Sequence, residues 1–310
     1  MRQDGAVTGP LLLLDAASLY FRAFYGVPDT LRAPDGTPVN AVRGLLDFIA
    51  RLATDREPDR VVACWDNDWR PAFRTDLLPS YKAHRVAQPD PAAEEVPDLL
   101  TPQVPIIAAL LPALGVPICG ADGFEADDVI GSLATDAGGA VEIVTGDRDL
   151  FQLVDQRVRV LYTARGVGRA DVVDDEWLDA KYGVIGRQYA DFATLRGDAS
   201  DGLPGVRGIG EKTAALLLRQ YGDLAGIEAA AADPASSMKP AARRAIAAAG
   251  DYLAVAPRVV AVRRDLALAI PGSAPDPKML AELGSRYGID GPIRRADEAL
   301  AGLPGQATAL

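Results

Sequence analysis

Residues 142–153 read EIVTGDRDLFQL: an apolar run stops at Gly146, and Asp147 and Asp149 follow on either side of Arg148. Two carboxylates that close repel each other unless positive charge lies against them. Two other apolar runs also end on an aspartate, PLLLLD at Asp15 and RVVACWD at Asp66. A further stretch, GFEADDVIGSLATDAG, puts Glu125, Asp127 and Asp128 at the start of a segment in which Ala126, Val129, Ile130, Leu133 and Ala134 follow helical spacing. One acid there would complement the helix dipole, and three exceed that need. With Asp198 and Asp201 of GDASDG the candidates number nine. No histidine or cysteine stands near them, and all-oxygen donors select a hard divalent cation, Mg²⁺ or Mn²⁺. A single magnesium takes one or two carboxylates, so nine acids imply two or more ions. Two ions about 3.5–4 Å apart can clamp the attacking and leaving oxygens of a phosphodiester.

Elements of a particular kind must bring these residues together. The first 160 residues alternate short β-branched apolar runs with amphipathic segments, ending with RVRVLYT. That alternation predicts a mostly parallel, twisted α/β sheet with helices on both faces. Ligands collect beyond the carboxyl ends of such strands, so Asp15, Asp66 and Asp147 are expected on one rim. From about 180 the chain reads as helix, glycine-rich turn and helix through VIGRQYADFATLRGDASDGLPGVRGIGEKTAALLLRQYGDL. The predicted domains are 1–180, an α/β body with an arch near 70–98, then 181–270, a helical subdomain with a returning strand near 258–270. Residues 271–310 are expected to hold short helices and a frayed tail, GQATAL.

The totals narrow the partners. At 310 residues, 49% hydrophobic and 24% charged, the chain has ample core for one large or two modest domains. Cys64 and Cys119 lie in apolar runs and are expected as buried, reduced thiols. A single histidine, His84, disfavours zinc and most Ser–His–Asp schemes. The most apolar stretch, 102–121, contains four prolines and predicts a buried helix followed by a strand rather than a membrane span. No secretory signal is visible at the N-terminus, and a cytoplasmic location is expected. The net charge of −11 taken alone disfavours a nucleic-acid partner, but a metal-binding acid cluster accounts for most of the excess.

Five segments in order, LLLLDAASLYFRAF, FRTDLLPSYKAHR, GFEADDVIG, TGDRDLFQLV and LRGDASDGLPGVRGIGEKTA, resemble the bacterial 5′-nucleases. That flap endonuclease family includes the 5′→3′ exonuclease domain at the front of bacterial DNA polymerase I. The resemblance spans about residues 11–270 and implies a PIN-like sheet, a helical arch over the site and a helix–hairpin–helix-like DNA-binding subdomain. It implies a monomeric, stand-alone, structure-specific nuclease of replication and repair that leaves a 5′-phosphate. Its DNA would carry 5′ single-strand/duplex junctions, as in flaps, nicks and gapped duplex. By the resemblance, Asp15, Asp66, Glu125 and Asp127 surround one ion, and Asp147, Asp149 and Asp201 serve a second, with Asp128 and Asp198 as outer partners. Lys82 and Arg85, three apart and on one face if helical, are assigned to the arch with both reaching the scissile phosphate. Arg22 is a further phosphate contact, and Arg70 and Arg74 add positive charge near the foot of the arch. Phe21 reads better as core than as a base-stacking ring, and His84 as an exposed surface residue.

In GVRGIGEKTA, Gly208 and Gly210 permit a tight turn before a helix, whose N-terminus with Lys212 and Thr213 can grip a phosphate without reading sequence. The resemblance adds a K⁺ ion held there by the carbonyls of Val206 and Ile209. Two features depart from the family pattern. Gly202 and Leu203 replace asparagine and isoleucine, which is expected to loosen that turn, and VAQPDPAAEEVP replaces a PPMP-like segment after YKAHR.

Rival readings are a haloacid-dehalogenase-type phosphatase, a compact PIN-type RNA nuclease, and a DNA-structure-binding protein with weak or no nuclease activity. The first needs a second aspartate two residues after Asp15, where Ala17 stands. The second is typically shorter and lacks the YKAHR and GVRGIGEKTA elements. The complete acid set argues against the third.

Overall fold

The computed structural model describes residues 9–87 and 94–304. Residues 88–93 of the expected arch and the GQATAL tail lie outside the described residues. The α/β part runs β1 (Leu11–Asp15), α1 (Ala16–Gly26), α2 (Asn40–Arg56), β2 (Arg60–Trp65), α3 (Ala72–Thr75), α4 (Val104–Ala113), β3 (Ile118–Gly120), α5 (Ala126–Asp136), β4 (Val141–Thr145), β5 (Val158–Tyr162) and β6 (Asp171–Val173). The helical part runs α6 (Asp175–Tyr182), α7 (Gly186–Arg196), α8 (Glu211–Tyr221), α9 (Leu224–Ala232), α10 (Pro240–Ala248), α11 (Gly250–Leu253), α12 (Ala256–Val260), α13 (Pro277–Tyr287) and α14 (Asp290–Leu300).

The sheet order is β3-β2-β1-β4-β5-β6. All pairings are parallel except β5 with β6. Its strands β1, β2 and β4 are mostly apolar because both faces are covered. Leu12 and Leu14 point into one core with α2, α4 and α14, whereas Leu13 points into the other with α5, α7 and α8. The period of two along β1 therefore divides one run of leucines between two cores. Cys64 and Cys119, register partners on β2 and β3, are buried and free. No helix among the described residues is long and apolar enough to cross a membrane.

Two expected elements are different in the structure. The returning strand is absent: residues 256–260 form α12, and 262–276 run as an extended strap outside the sheet. The strap lies on α5, where side chains rather than a neighbouring strand take its N–H groups. Val262 N–H donates to Gln152 (3.1 Å), Arg263 N–H to Asp128 (2.8 Å) and Leu266 N–H to Ser132 Oγ (3.2 Å). The YKAHR segment is likewise not a helix face. Pro71 and Pro79 break the chain around α3, Lys82 adopts left-handed backbone (φ 48°), and Ala83–Arg85 make one 3₁₀ turn.

Candidate active site

Each acid is held by the element that ends or begins at it. Asp15, at the end of β1, caps α1 by accepting the Ser18 N–H (3.2 Å) and accepts the Thr145 hydroxyl of β4 (2.6 Å). Asp66, just past β2, accepts the Ala126 N–H at the start of α5 (2.8 Å). Asp147 forms a local turn in which its carboxylate accepts the Asp149 N–H (2.8 Å), while its own N–H donates to Thr145 Oγ1 (2.8 Å). Asp149 then opens a 3₁₀ segment through Leu153. Gly146 suits this position because its N–H donates to Ser18 Oγ (2.8 Å), and a Cβ would crowd Ser18 and Arg22 at 3.0–3.1 Å.

Asp15, Asp66, Glu125, Asp127 and Asp147 line one cavity of about 220 Å³ with Lys82, Arg85, Glu94, Ser18, Phe21 and Trp69. Burial, reinforced by Asp66, pushes the Asp15 carboxyl up to about 7. Burial and then Asp147 raise Asp127 well above the carboxylate range, and burial followed by Asp147 does the same to Asp149. Burial also raises Asp201, with Lys82 opposing the shift and Asp147 adding to it. Asp147 thus acts on Asp15 and Asp127 on one side and on Asp149 and Asp201 on the other. It lines the cavity with Asp15, Asp66, Glu125 and Asp127 and also accepts the Asp149 N–H, so it adjoins both groups. Among the described residues no three acids stand at the spacing of a finished metal site. The carboxylates are turned instead toward hydroxyls, backbone N–H groups and the cations Lys82 and Arg85, as mutual repulsion requires. Buried, oxygen-only and short of positive charge, this donor set fits hard divalent ions.

Glu125 is the most heavily engaged. It is 2% exposed and meets Arg74, Lys82 and the Tyr81 hydroxyl (3.0 Å). Arg74 is equally buried and forks onto Asp128 (2.7 and 2.8 Å), with its Nε on the Val259 carbonyl (2.9 Å). A side chain so enclosed cannot reach DNA, so Arg74 joins α3, α5 and α12 rather than adding surface charge. Asp128, fully buried and forked to Arg74, belongs to the same internal network and reaches Glu125 through it. Arg70 turns inward too, donating to the carbonyls of Tyr81 (2.6 Å) and Pro79 (2.8 Å) and so fixing the turn that presents Lys82.

On the far side, Arg85 donates to Asp201 (2.9 Å) and the Ser200 carbonyl (2.8 Å). Asp198 accepts Ser200 N–H (2.9 Å), Arg196 (3.2 Å) and Arg148 (3.4 Å). Gly202 does not loosen its turn. It is left-handed (φ 71°), and a Cβ would lie 2.1 Å from the Ser80 carbonyl oxygen. This close approach brings Lys82 N–H onto the Asp201 carbonyl (3.0 Å) and Ser80 Oγ onto the Gly202 carbonyl (2.9 Å). Phe21 is a half-buried wall of the cavity, stacked on Tyr20, and not core. Arg22 donates to the Ala164 carbonyl (3.2 Å), while its buried Nε has no partner in the structure. His84 is exposed, as expected.

Distal to this cavity, Gly208 is left-handed (φ 86°) and Gly210 caps α8, leaving Lys212 exposed and Thr213 half-buried in the first turn. The Val206 carbonyl accepts the Ile209 N–H (2.9 Å), and both side chains are buried. Sequence reading missed Tyr81, Thr145, Arg148 and Glu94. Tyr81 stood beside Lys82 and Thr145 two residues before Asp147, but nothing in their spacing marks a hydroxyl aimed at an acid.

Residues 10–183 match the model for the 5′-3′ exonuclease N-terminal resolvase-like domain, and residues 184–278 match that for the 5′-3′ exonuclease C-terminal SAM fold. The chain belongs to the 5′-3′ exonuclease family. A 5′-3′ exonuclease of Streptomyces coelicolor is 58% identical, the match covering 92% of this chain and 98% of that protein. One of Mycobacterium tuberculosis is 49% identical, covering 96% and 99%. The match to Mycobacterium bovis DNA polymerase I, at 44% identity, takes in 69% of this chain and 23% of the polymerase. In fold the exonuclease resembles the T5 5′-exonuclease solved with bound zinc (TM-score 0.64, 18% identity, 95% of this chain and 99% of that one). It also resembles flap endonuclease-1 of Methanococcus jannaschii (TM-score 0.60, 15% identity, 95% and 93%).

Proposed function

We propose that this exonuclease is a structure-specific DNA 5′-nuclease, acting at junctions of 5′ single strand and duplex both as a 5′→3′ exonuclease and as a 5′-flap endonuclease. The observation that carries this reading is one cavity lined by acids from three strand ends and the start of α5, facing Lys82 and Arg85. Asp15, Asp66, Glu125, Asp127 and Asp147 would hold divalent ions, Mg²⁺ or Mn²⁺, with Asp149, Asp201 and Asp198 on the second side. When bound, such ions supply an activated water and neutralise charge on the phosphate, leaving a 5′-phosphate product. Lys82 and Arg85, each paired to an acid in the structure, are the cations placed to turn to the phosphate and stabilise charge as it develops. Arg22, half-buried beside Gly146 with its guanidinium on the Ala164 carbonyl, adds a third contact. The α8 N-terminus, with Gly208, Gly210, Lys212 and Thr213, grips duplex backbone. The carbonyls of Val206 and Ile209 are the proposed K⁺ ligands there. The protein is proposed to work as a cytoplasmic monomer in replication and repair.

The test uses 5′-labelled and 3′-labelled flap duplexes with Mg²⁺, Mn²⁺ or EDTA. Cutting near the junction in either metal, none in EDTA, and none by Asp149→Asn despite retained DNA binding are expected. Binding without cutting by the wild type would leave a DNA-structure-binding protein. Cutting that resists EDTA would remove the metal from the reading.

A further inference from the structure

Glu94 stands apart from the other acids of the cavity. Asp15, Asp66 and Asp147 lie at strand ends and Glu125 and Asp127 at the start of α5, whereas Glu94 comes from the arch, within VAQPDPAAEEVP. Its place is fixed by backbone. Val86 and Glu94 form an antiparallel bridge, and the Glu95 N–H donates to the Arg85 carbonyl (2.8 Å). The half-buried carboxyl also borders a second cavity with Phe21, His84 and Arg85, and a groove beginning at Tyr20. It therefore stands where three openings adjoin. It shares the cavity wall with Arg85 and Lys82, which pair with Asp201 and Glu125, and with Asp66.

We propose that Glu94 sets substrate affinity at this site, a carboxylate on the cavity wall whose charge opposes the approach of the substrate phosphate to Arg85 and Lys82. This rests on the nuclease reading above. A phosphate approaching those cations also meets the like charge of Glu94 on the same wall, which weakens binding of the strand. The groups that act in the chemical step are the same with Glu94 or without it. The effect should thus fall on KM and spare kcat.

Steady-state cleavage of a flap duplex by Glu94→Gln is expected to show KM lowered about three- to tenfold, the scale of removing one nearby solvent-screened charge, with kcat within about twofold. Glu94→Asp, which keeps the charge, should retain the wild-type KM, and Glu94→Lys should lower it beyond Glu94→Gln. The exposed neighbour serves as control: Glu95→Gln should move KM by less than half as much. An unchanged or raised KM in Glu94→Gln, or a loss confined to kcat, would overturn the proposal. Anisotropy of fluorescent flap DNA in EDTA separates this from failure of the nuclease reading. If the wild type binds but does not cut, the Kd of Glu94→Gln should still fall, and an unaltered Kd would sink the role of Glu94 by itself.

Discussion

Arg74 and Lys82 touch the same carboxylate of Glu125, yet their burial gives them different work. Arg74 is enclosed and also neutralises Asp128, so its removal strands two acids in the interior. Arg74→Ala should cost about 3–5 kcal/mol of stability, read from denaturant unfolding. Lys82 lies at the cavity wall, and without it Glu125 keeps Arg74 and Tyr81. Lys82→Ala should therefore lower single-turnover cleavage at least about tenfold while unfolding at nearly the wild-type midpoint. A turnover equal to wild type would return Lys82 to a purely structural pair. Both arginine and lysine were visible in FRTDLLPSYKAHR, but their division of labour was not, because burial is settled by what packs over a side chain.

At the scale of elements, the site is assembled where two loops meet. The arch turn and the GDASDG turn are joined by Lys82 N–H on the Asp201 carbonyl, Ser80 on the Gly202 carbonyl, and Arg85 on Asp201. Gly202 permits that contact by having no Cβ. Gly202→Ala should separate the turns, costing about 1–3 kcal/mol through strain at its left-handed backbone and lowering cleavage along with stability. A variant with unchanged melting and turnover would show that the contact yields easily. The strap at 262–276 is the complementary lesson. RVVAVRRDLALAI has strand-like alternation, but its first residues are drawn into α12, and Gln152, Asp128 and Ser132 take the backbone donors of Val262, Arg263 and Leu266.

For the whole molecule, the acid cluster is a store of repulsion that folding must hold together. Asp15, Asp127, Asp149 and Asp201 all have carboxyl pKa values raised by burial. A carboxyl raised on folding binds more protons in the native state than in the unfolded chain between the two pKa values. Stability contributed by protonation is therefore present at low pH and lost as pH rises from about 4 through the value of about 7 reached by Asp15. In EDTA the melting temperature should accordingly fall across that window. Saturating Mg²⁺ or Mn²⁺ should raise it most at the upper end, since ligands that bind only the native state stabilise it. A melting temperature in EDTA that is flat from pH 5 to 7 and indifferent to metal would show that the carboxylates are already balanced by the protein.

The sequence by itself determined the parallel α/β sheet, the acids at Asp15, Asp66 and Asp147, and the face of α5, because strand and helix periodicity are local and both cores demand apolar runs. It also placed the glycine turn before α8, since Gly208 needs left-handed backbone. Only the tertiary structure decided that Arg74 is internal, that Phe21 is a cavity wall, that Asp147 adjoins two acid groups, and that Glu94 joins them from the arch. Those outcomes depend on contacts between residues tens of positions apart, where charge, close approach and burial are fixed together and no short stretch of sequence carries the answer.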